Sequence, residues 1–180
     1  MQDDLLEYQP NQVQIASPTI NSAVDSGTYV TFDLSGQTFG VEVRHVREIL
    51  DHVNVSQLPN TPHEVEGVVD IRGETVPIIN LGSKLGLQRS DDSDDTRVII
   101  FEIAQDKKVC PIGVLADNVR DVTRIAADEV ERTPEIVGAV WERKLMLGIA
   151  RRAGHMIVLL NIEQVILGSD VPIDFDQNLF

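Results

Sequence analysis

The chain has 180 residues, enough for one domain with a substantial core or for two small ones leaning on each other. Fifteen basic against twenty-nine acidic residues give a formal charge of −14, which argues against nucleic acid as a partner because this surface repels a phosphate backbone. Apolar residues make up 42% of the chain and aromatics only 4%, so the core must be built from Val, Ile and Leu, a composition that favours strands.

Met1 to Gly27 is polar, carries four acids and no base, and reads as a flexible acidic arm whose "DDLLEY" is too short to hold a helix alone. With no Lys or Arg before Arg44, a signal-peptide pattern is missing. No apolar run approaches the roughly 20 residues that cross a bilayer, so a cytoplasmic protein without direct membrane insertion is expected. "YVTFDLSGQTFGVEV" reads as a hairpin turning at Ser35-Gly36, with Phe32 and Leu34 alternating on one side and Phe39, Val41 and Val43 on the other. "HVREILDHV" is extended or helical. "LPNTP" then leads into "VEGVVDIRGETVPIINLG", two alternating runs around an Arg72-Gly73 turn. "LGSKLGL" follows as one or two helical turns with Leu81 and Leu85 four apart.

Residues 89–95 form an acidic loop in which Asp91, Asp92, Asp94 and Asp95 repel one another, and they divide the chain into approximate halves, 28–88 and 96–167. The second half restates the first. "GVEVRHVREI" lies over "GVLADNVRDV", with Gly40 on Gly113, Val46 on Val119, Arg47 on Arg120 and Glu48 on Asp121. "GVVDIRGETVPIINL" lies over "GIARRAGHMIVLLNI" without a gap, placing Gly67, Gly73, Asn80 and Leu81 on Gly148, Gly154, Asn161 and Ile162. A duplicated unit of about 70 to 80 residues, made of short strands with glycine-marked turns, protects its edges best by closing into a small barrel. Two barrels side by side are therefore expected, with "NIEQVIL" as a covering helix stopped at Gly168 and 168–180 as an acidic tail. By alternation Ile112, Val114, Val119 and Val122 read as core, and so does the single cysteine, Cys110.

Catalytic patterns are missing. The histidines His45, His52, His63 and His155 have no partners at metal-ligand spacing. In "NLGSKLG" Lys84 follows Ser83 rather than preceding it, so the phosphate-loop pattern fails, and neither a dinucleotide fingerprint nor a Gly-x-Ser-x-Gly elbow occurs. No enzyme, cofactor or metal is expected.

"FGVEVRHVREIL", "QLPNTPHEVEGVVDIRGETVPIINLGSKLG", "PIGVLADNVRDV" and "GIARRAGHMIVLLNIEQVI" together resemble the CheW-like family of chemotaxis coupling proteins, from Thr28 to Leu167. The resemblance implies an all-β fold of two small SH3-like five-stranded β-barrels packed side by side and intertwined, with short helical segments. It implies a non-catalytic adaptor that couples the cytoplasmic tips of methyl-accepting chemoreceptors to the histidine kinase CheA, in membrane-associated arrays with other CheW-like domains as further partners. It also leaves open a related pathway such as surface motility, or a free-standing kinase-regulatory module. Carried onto this chain, the family's arginine falls on Arg72 and its partner glutamate on Glu48, and the receptor-facing edge on Val43, Val46 and the strand from Val68 to Ile71. Kinase-binding residues stay unassigned. A guanidinium at a hairpin turn can fork onto a carboxylate and hold two loops in one arrangement, which makes Arg72 a latch rather than a catalyst.

Overall fold

The computed structural model describes residues 27–51, 53–88, 91–105, 107–131 and 144–168. The leading arm with its "DDLLEY", His52 and the closing "SDVPIDFDQNLF" lie outside them. In chain order the elements are β1 (Thr28–Leu34), β2 (Gln37–Glu42), a 3-10 turn (Val43–His45), β3 (Val46–Leu50), β4 (Val65–Ile71), β5 (Glu74–Ile79) and α1 (Leu81–Lys84). After the acidic loop come β6 (Arg97–Gln105), β7 (Lys108–Ala116), β8 (Asn118–Arg124), a second 3-10 turn (Ala127–Glu129), β9 (Val130–Glu131), β10 (Met146–Arg152), β11 (His155–Leu160) and α2 (Ile162–Leu167). "HVREI" is thus both of its readings in succession, with His45 closing the 3-10 turn and Val46 opening a strand.

The strands form two sheets, ordered β8-β1-β2-β11-β10-β9 and β3-β6-β7-β5-β4. The fold is all-β, two small SH3-like barrels side by side with a few short helical segments; the larger sheet exceeds the expected five strands by the two-residue β9. The barrels do not coincide with the halves 28–88 and 96–167. Each sheet takes the first hairpin of one repeat and the remaining strands of the other, so β1-β2 joins β8 to β11 while β6-β7 joins β3 to β5. The exchange is sealed by two parallel pairings, Gly40 opposite Leu159 and Gly113 opposite Ile78. A Cβ on Gly40 would stand 2.8 Å from the Leu159 side chain, and one on Gly113 would stand 2.3 Å from that of Ile78, so the repeat keeps glycine where the exchanged hairpins approach most closely.

Both faces of the central strands are buried, which is why they read as continuous apolar runs. Phe32, Phe39, Val158 and Leu160 from one sheet meet Ile99, Phe101, Ile112 and Val114 from the other in a cluster shared between the barrels. The alternate residues fill the barrels themselves: Tyr29, Ala150, Ile157 and Leu159 in the six-stranded one, and Val69, Ile71, Val76, Ile78, Val98 and Ile100 in the five-stranded one. Ile112 and Val114 are fully buried, and Val119 packs against the shared cluster. Val122 departs from the core reading because β8 is an edge strand, leaving it 44% exposed. Cys110 is half-buried on β7, opposite Ile103.

Leu81 and Leu85 are buried as the helical spacing required, and so are Ile162, Val165 and Ile166 on α2. Both helices start on an asparagine. The Asn80 side chain accepts from Ser83 N at 2.8 Å and the Asn161 side chain from Gln164 N at 3.3 Å, satisfying one of the free amides of each first turn. At the end of α2, Gly168 N donates to Gln164 O.

Candidate functional site

In the five-stranded sheet β3 and β4 are the two edges, and among the described residues no ladder joins them. Side chains close that seam. The β4-β5 connection is a two-residue turn in which Arg72 and Gly73 have φ values of 54° and 84°, the left-handed pair that matches strand twist. Glycine adopts this at no steric cost, whereas Arg72 is held there against its preference. Gly73 N donates to Asp70 Oδ1 at 2.9 Å, fixing the turn from within.

Arg72 Nη2 donates to Glu48 Oε2 at 3.1 Å, from the turn of one edge strand to the middle of the other. This is a single-point contact and not the expected fork. The other Glu48 oxygen faces Arg47 Nε at 3.7 Å, and Arg47 Nη1 reaches back to Glu74 Oε2 at 2.8 Å, on the far side of the same turn. Two arginines and two glutamates thus alternate across the seam. Arg47 and Glu74 were missed by sequence reasoning, although "RE" on one strand facing "RGE" at a turn is a complementary pattern once the two are brought together. The register slip between Val46 and Glu48 against β6 is the bulge that accompanies this placement. Glu48 is largely shielded, with 17% of its side chain exposed, while the Arg72 side chain is 65% exposed and offers its remaining donors to solvent.

Val43, in the 3-10 turn, and Val46, at the start of β3, are half-buried, and Val46 packs against the shared cluster. Val68 is half-buried on the outer face of β4, and its backbone exchanges two hydrogen bonds with Ser56, at 2.8 and 2.9 Å, that cover part of this edge. Ile71 corrects the expectation of a continuous docking strand. Along β4, Gly67, Val69 and Ile71 point inward while Val68 and Asp70 point outward, so Ile71 belongs to the barrel interior and shapes the face only from beneath.

The repeat-equivalent region of the other barrel is built differently. Arg120 turns to Asp33, its Nε 2.7 Å from both carboxylate oxygens, and that hydrogen bond together with the carboxylate charge raises the Arg120 pKa above its ordinary value. Asp121, which overlays Glu48, accepts from the neighbouring Val122 N. The β10-β11 turn has the same backbone, φ 47° and 79°, but carries Ala153-Gly154. Here Arg152, one residue before the turn, spans to Glu129 at 3.3 Å and to the Arg124 carbonyl oxygen.

A cleft of about 270 Å³ lies where Val53, Val55, Glu66, Asp92, Thr96 and Leu115 meet. Among the described residues no three His, Cys, Asp or Glu side chains are grouped to hold a metal ion, and no helix is long and apolar enough to cross a membrane.

The model of the CheW-like domain matches residues 28–168. The chain belongs to the CheW-like family. It is 27% identical over 145 residues to the chemotaxis protein CheW of Klebsiella aerogenes, covering 81% of this chain and 84% of that one. It is 28% identical over 148 residues to the chemotaxis protein CheW of Thermotoga maritima, covering 82% and 93%. The crystal structure of the scaffolding protein TtCheW of Thermoanaerobacter tengcongensis superposes with a TM-score of 0.66 at 27% identity, over 78% of this chain and 92% of that one. This is an adaptor of chemotaxis signal transduction, from a family of scaffolds.

Proposed function

We propose that this CheW-like protein works in the cytoplasm as a non-catalytic bridge. It joins the cytoplasmic tips of methyl-accepting chemoreceptors to a CheA-type histidine kinase and lets the receptor control kinase activity, alongside other CheW-like domains in membrane-associated arrays. The receptor-facing surface is the seam of the five-stranded barrel: Val43, Val46 and Val68 supply half-buried apolar contacts, Ile71 supports them from the core, and Glu48 and Arg72 hold the two edges in register. The kinase binds elsewhere, through residues not assigned.

The observation that carries this reading is the Glu48–Arg72 contact across the seam. An exposed single-point ion pair contributes about 0 to 1 kcal/mol to stability, so its value lies in fixing the shape of a face. Arg72 also sits in an unfavourable backbone region where nothing about the turn itself demands arginine. The test is a pull-down with receptor fragments and kinase. Val46→Asp should weaken receptor recruitment more than kinase binding, with unchanged circular dichroism; equal loss of both partners would argue for one shared face.

A further inference from the structure

Lys84 is the one chemistry-bearing residue in "NLGSKLG" that the docking face leaves without a role. It ends α1, its side chain is only 3% exposed, and its Nζ stands 3.1 Å from Glu64 Oε2 and 3.4 Å from the carbonyl oxygen of Ile166, in the last turn of α2. Glu64 enters β4 of the five-stranded barrel; α2 leaves β11 of the six-stranded one. The lysine therefore ties an element of one barrel to an element of the other. Glu64 Oε2 is itself buried and receives no well-directed hydrogen bond, so it depends on the Lys84 charge for compensation.

The repeat shows what this position holds when no charge is used. Asn80 N donates to Glu64 O at 2.8 Å, and Asn161 N donates to Leu145 O at 2.9 Å, so Glu64 and Leu145 occupy the same place ahead of the two helices. Four residues after each asparagine stand Lys84 and Val165. Leu145 packs against the shared cluster and Val165 is buried in it. An apolar pair in one unit is thus an ion pair in the other. An ion pair with its lysine buried and its carboxylate partly exposed gains little stability over a well-packed apolar pair, but the buried Glu64 oxygen is compensated only while Lys84 stays beside it.

We propose that the Glu64–Lys84 pair is an orientation pin: it makes Lys84 a positioning residue that fixes one barrel relative to the other through the end of α2. Its consequence for signalling rests on the adaptor reading above, since a bridge with two faces transmits only if the angle between them is set. The geometric claim does not rest on that reading.

The test exchanges the pair for its repeat counterpart. Lys84→Val alone strands the Glu64 carboxylate and should lower the melting temperature; Glu64→Leu with Lys84→Val should recover the wild-type melting temperature or exceed it. Residual dipolar couplings from the strands of each sheet are then fitted separately. In the wild type the two sheets should return one alignment tensor in the frame of the structure, and in the recovered double variant two tensors rotated relative to each other in that frame, with a several-fold weaker receptor–protein–kinase complex. Identical tensors in both proteins would overturn the pin. Failure of the wild type to form the complex would instead count against the adaptor reading, leaving the tensor comparison to decide the pin.

Discussion

The two hairpin turns at Arg72-Gly73 and Ala153-Gly154 have nearly the same backbone, each with two positive φ values at the same place in the repeat, yet their side chains serve different ends. In the six-stranded barrel the turn is bare and the arginine that spans the seam, Arg152, comes from the end of the strand. In the five-stranded barrel the arginine is on the turn itself, where it costs backbone strain and remains mostly in solvent. The repeat therefore keeps one backbone scaffold at both turns, and the side chains it carries there differ: an arginine on the turn in one barrel, an alanine in the other.

That comparison requires two barrels that stand or fall together, and the largest expected effect tests this. Phe101 lies in the cluster shared between the sheets, so Phe101→Ala should cost about 3–5 kcal/mol and lower the unfolding midpoint of probes in both barrels equally. Its neighbour Ile100 faces only the interior of the five-stranded barrel, and Ile100→Val should cost about 0.5–1.5 kcal/mol. Separate midpoints for the two barrels in Phe101→Ala, followed by site-resolved hydrogen exchange, would show that the shared cluster does not couple them.

The next effect contrasts the turns directly. Ala153→Gly relieves a left-handed residue and should stabilise by up to about 1 kcal/mol without touching receptor coupling. Arg72→Gly gains the same relief but loses the ion pair, so its stability change should be smaller while coupling falls. Equal behaviour of the two variants in melts and kinase assays would mean that the turns are interchangeable.

Much of this architecture is legible in the sequence, and the gaps have physical causes. Hairpins, helices and the repeat follow from alternation, turn residues and glycine spacing, all of which are local. The exchange of first hairpins is not, because the parallel contacts of Gly40 with Leu159 and Gly113 with Ile78 join segments far apart in the chain, and nothing near any of the four residues names its partner. The Glu48–Arg72 contact came from the family resemblance; the supporting Arg47–Glu74 contact needed the fold. Reading Val68 to Ile71 as one outward strip overlooks the alternation of β4, which turns Ile71 into the barrel interior. The burial of Lys84 depends on two helices from opposite halves meeting at its tip, which no local pattern encodes.

The smallest expected effect concerns Tyr29, buried in the six-stranded barrel, whose pKa is raised above 10.0 by desolvation and, secondarily, by Glu42. Its neutral form is favoured by folding, so its contribution is fully present below the unfolded pKa and is lost as pH rises through the folded one. Melts of the wild type should therefore decline with alkaline pH beyond 10.0, and Tyr29→Phe should flatten that decline slightly. An unchanged alkaline slope would remove Tyr29 as its source.

The most direct test of the docking account is a double-mutant cycle on receptor affinity with Arg72→Ala, Glu48→Ala and the pair, measured beside receptor-dependent kinase activation. All three proteins should stay folded, each single change should weaken binding, and the pair should lose less than the sum because either change already breaks the same contact. Arg72→Lys should retain part of the coupling that Arg72→Ala loses, since a single ammonium can replace the one-point contact to Glu48. Strict additivity would contradict the latch, and wild-type coupling by Arg72→Ala would remove Arg72 from the docking face altogether.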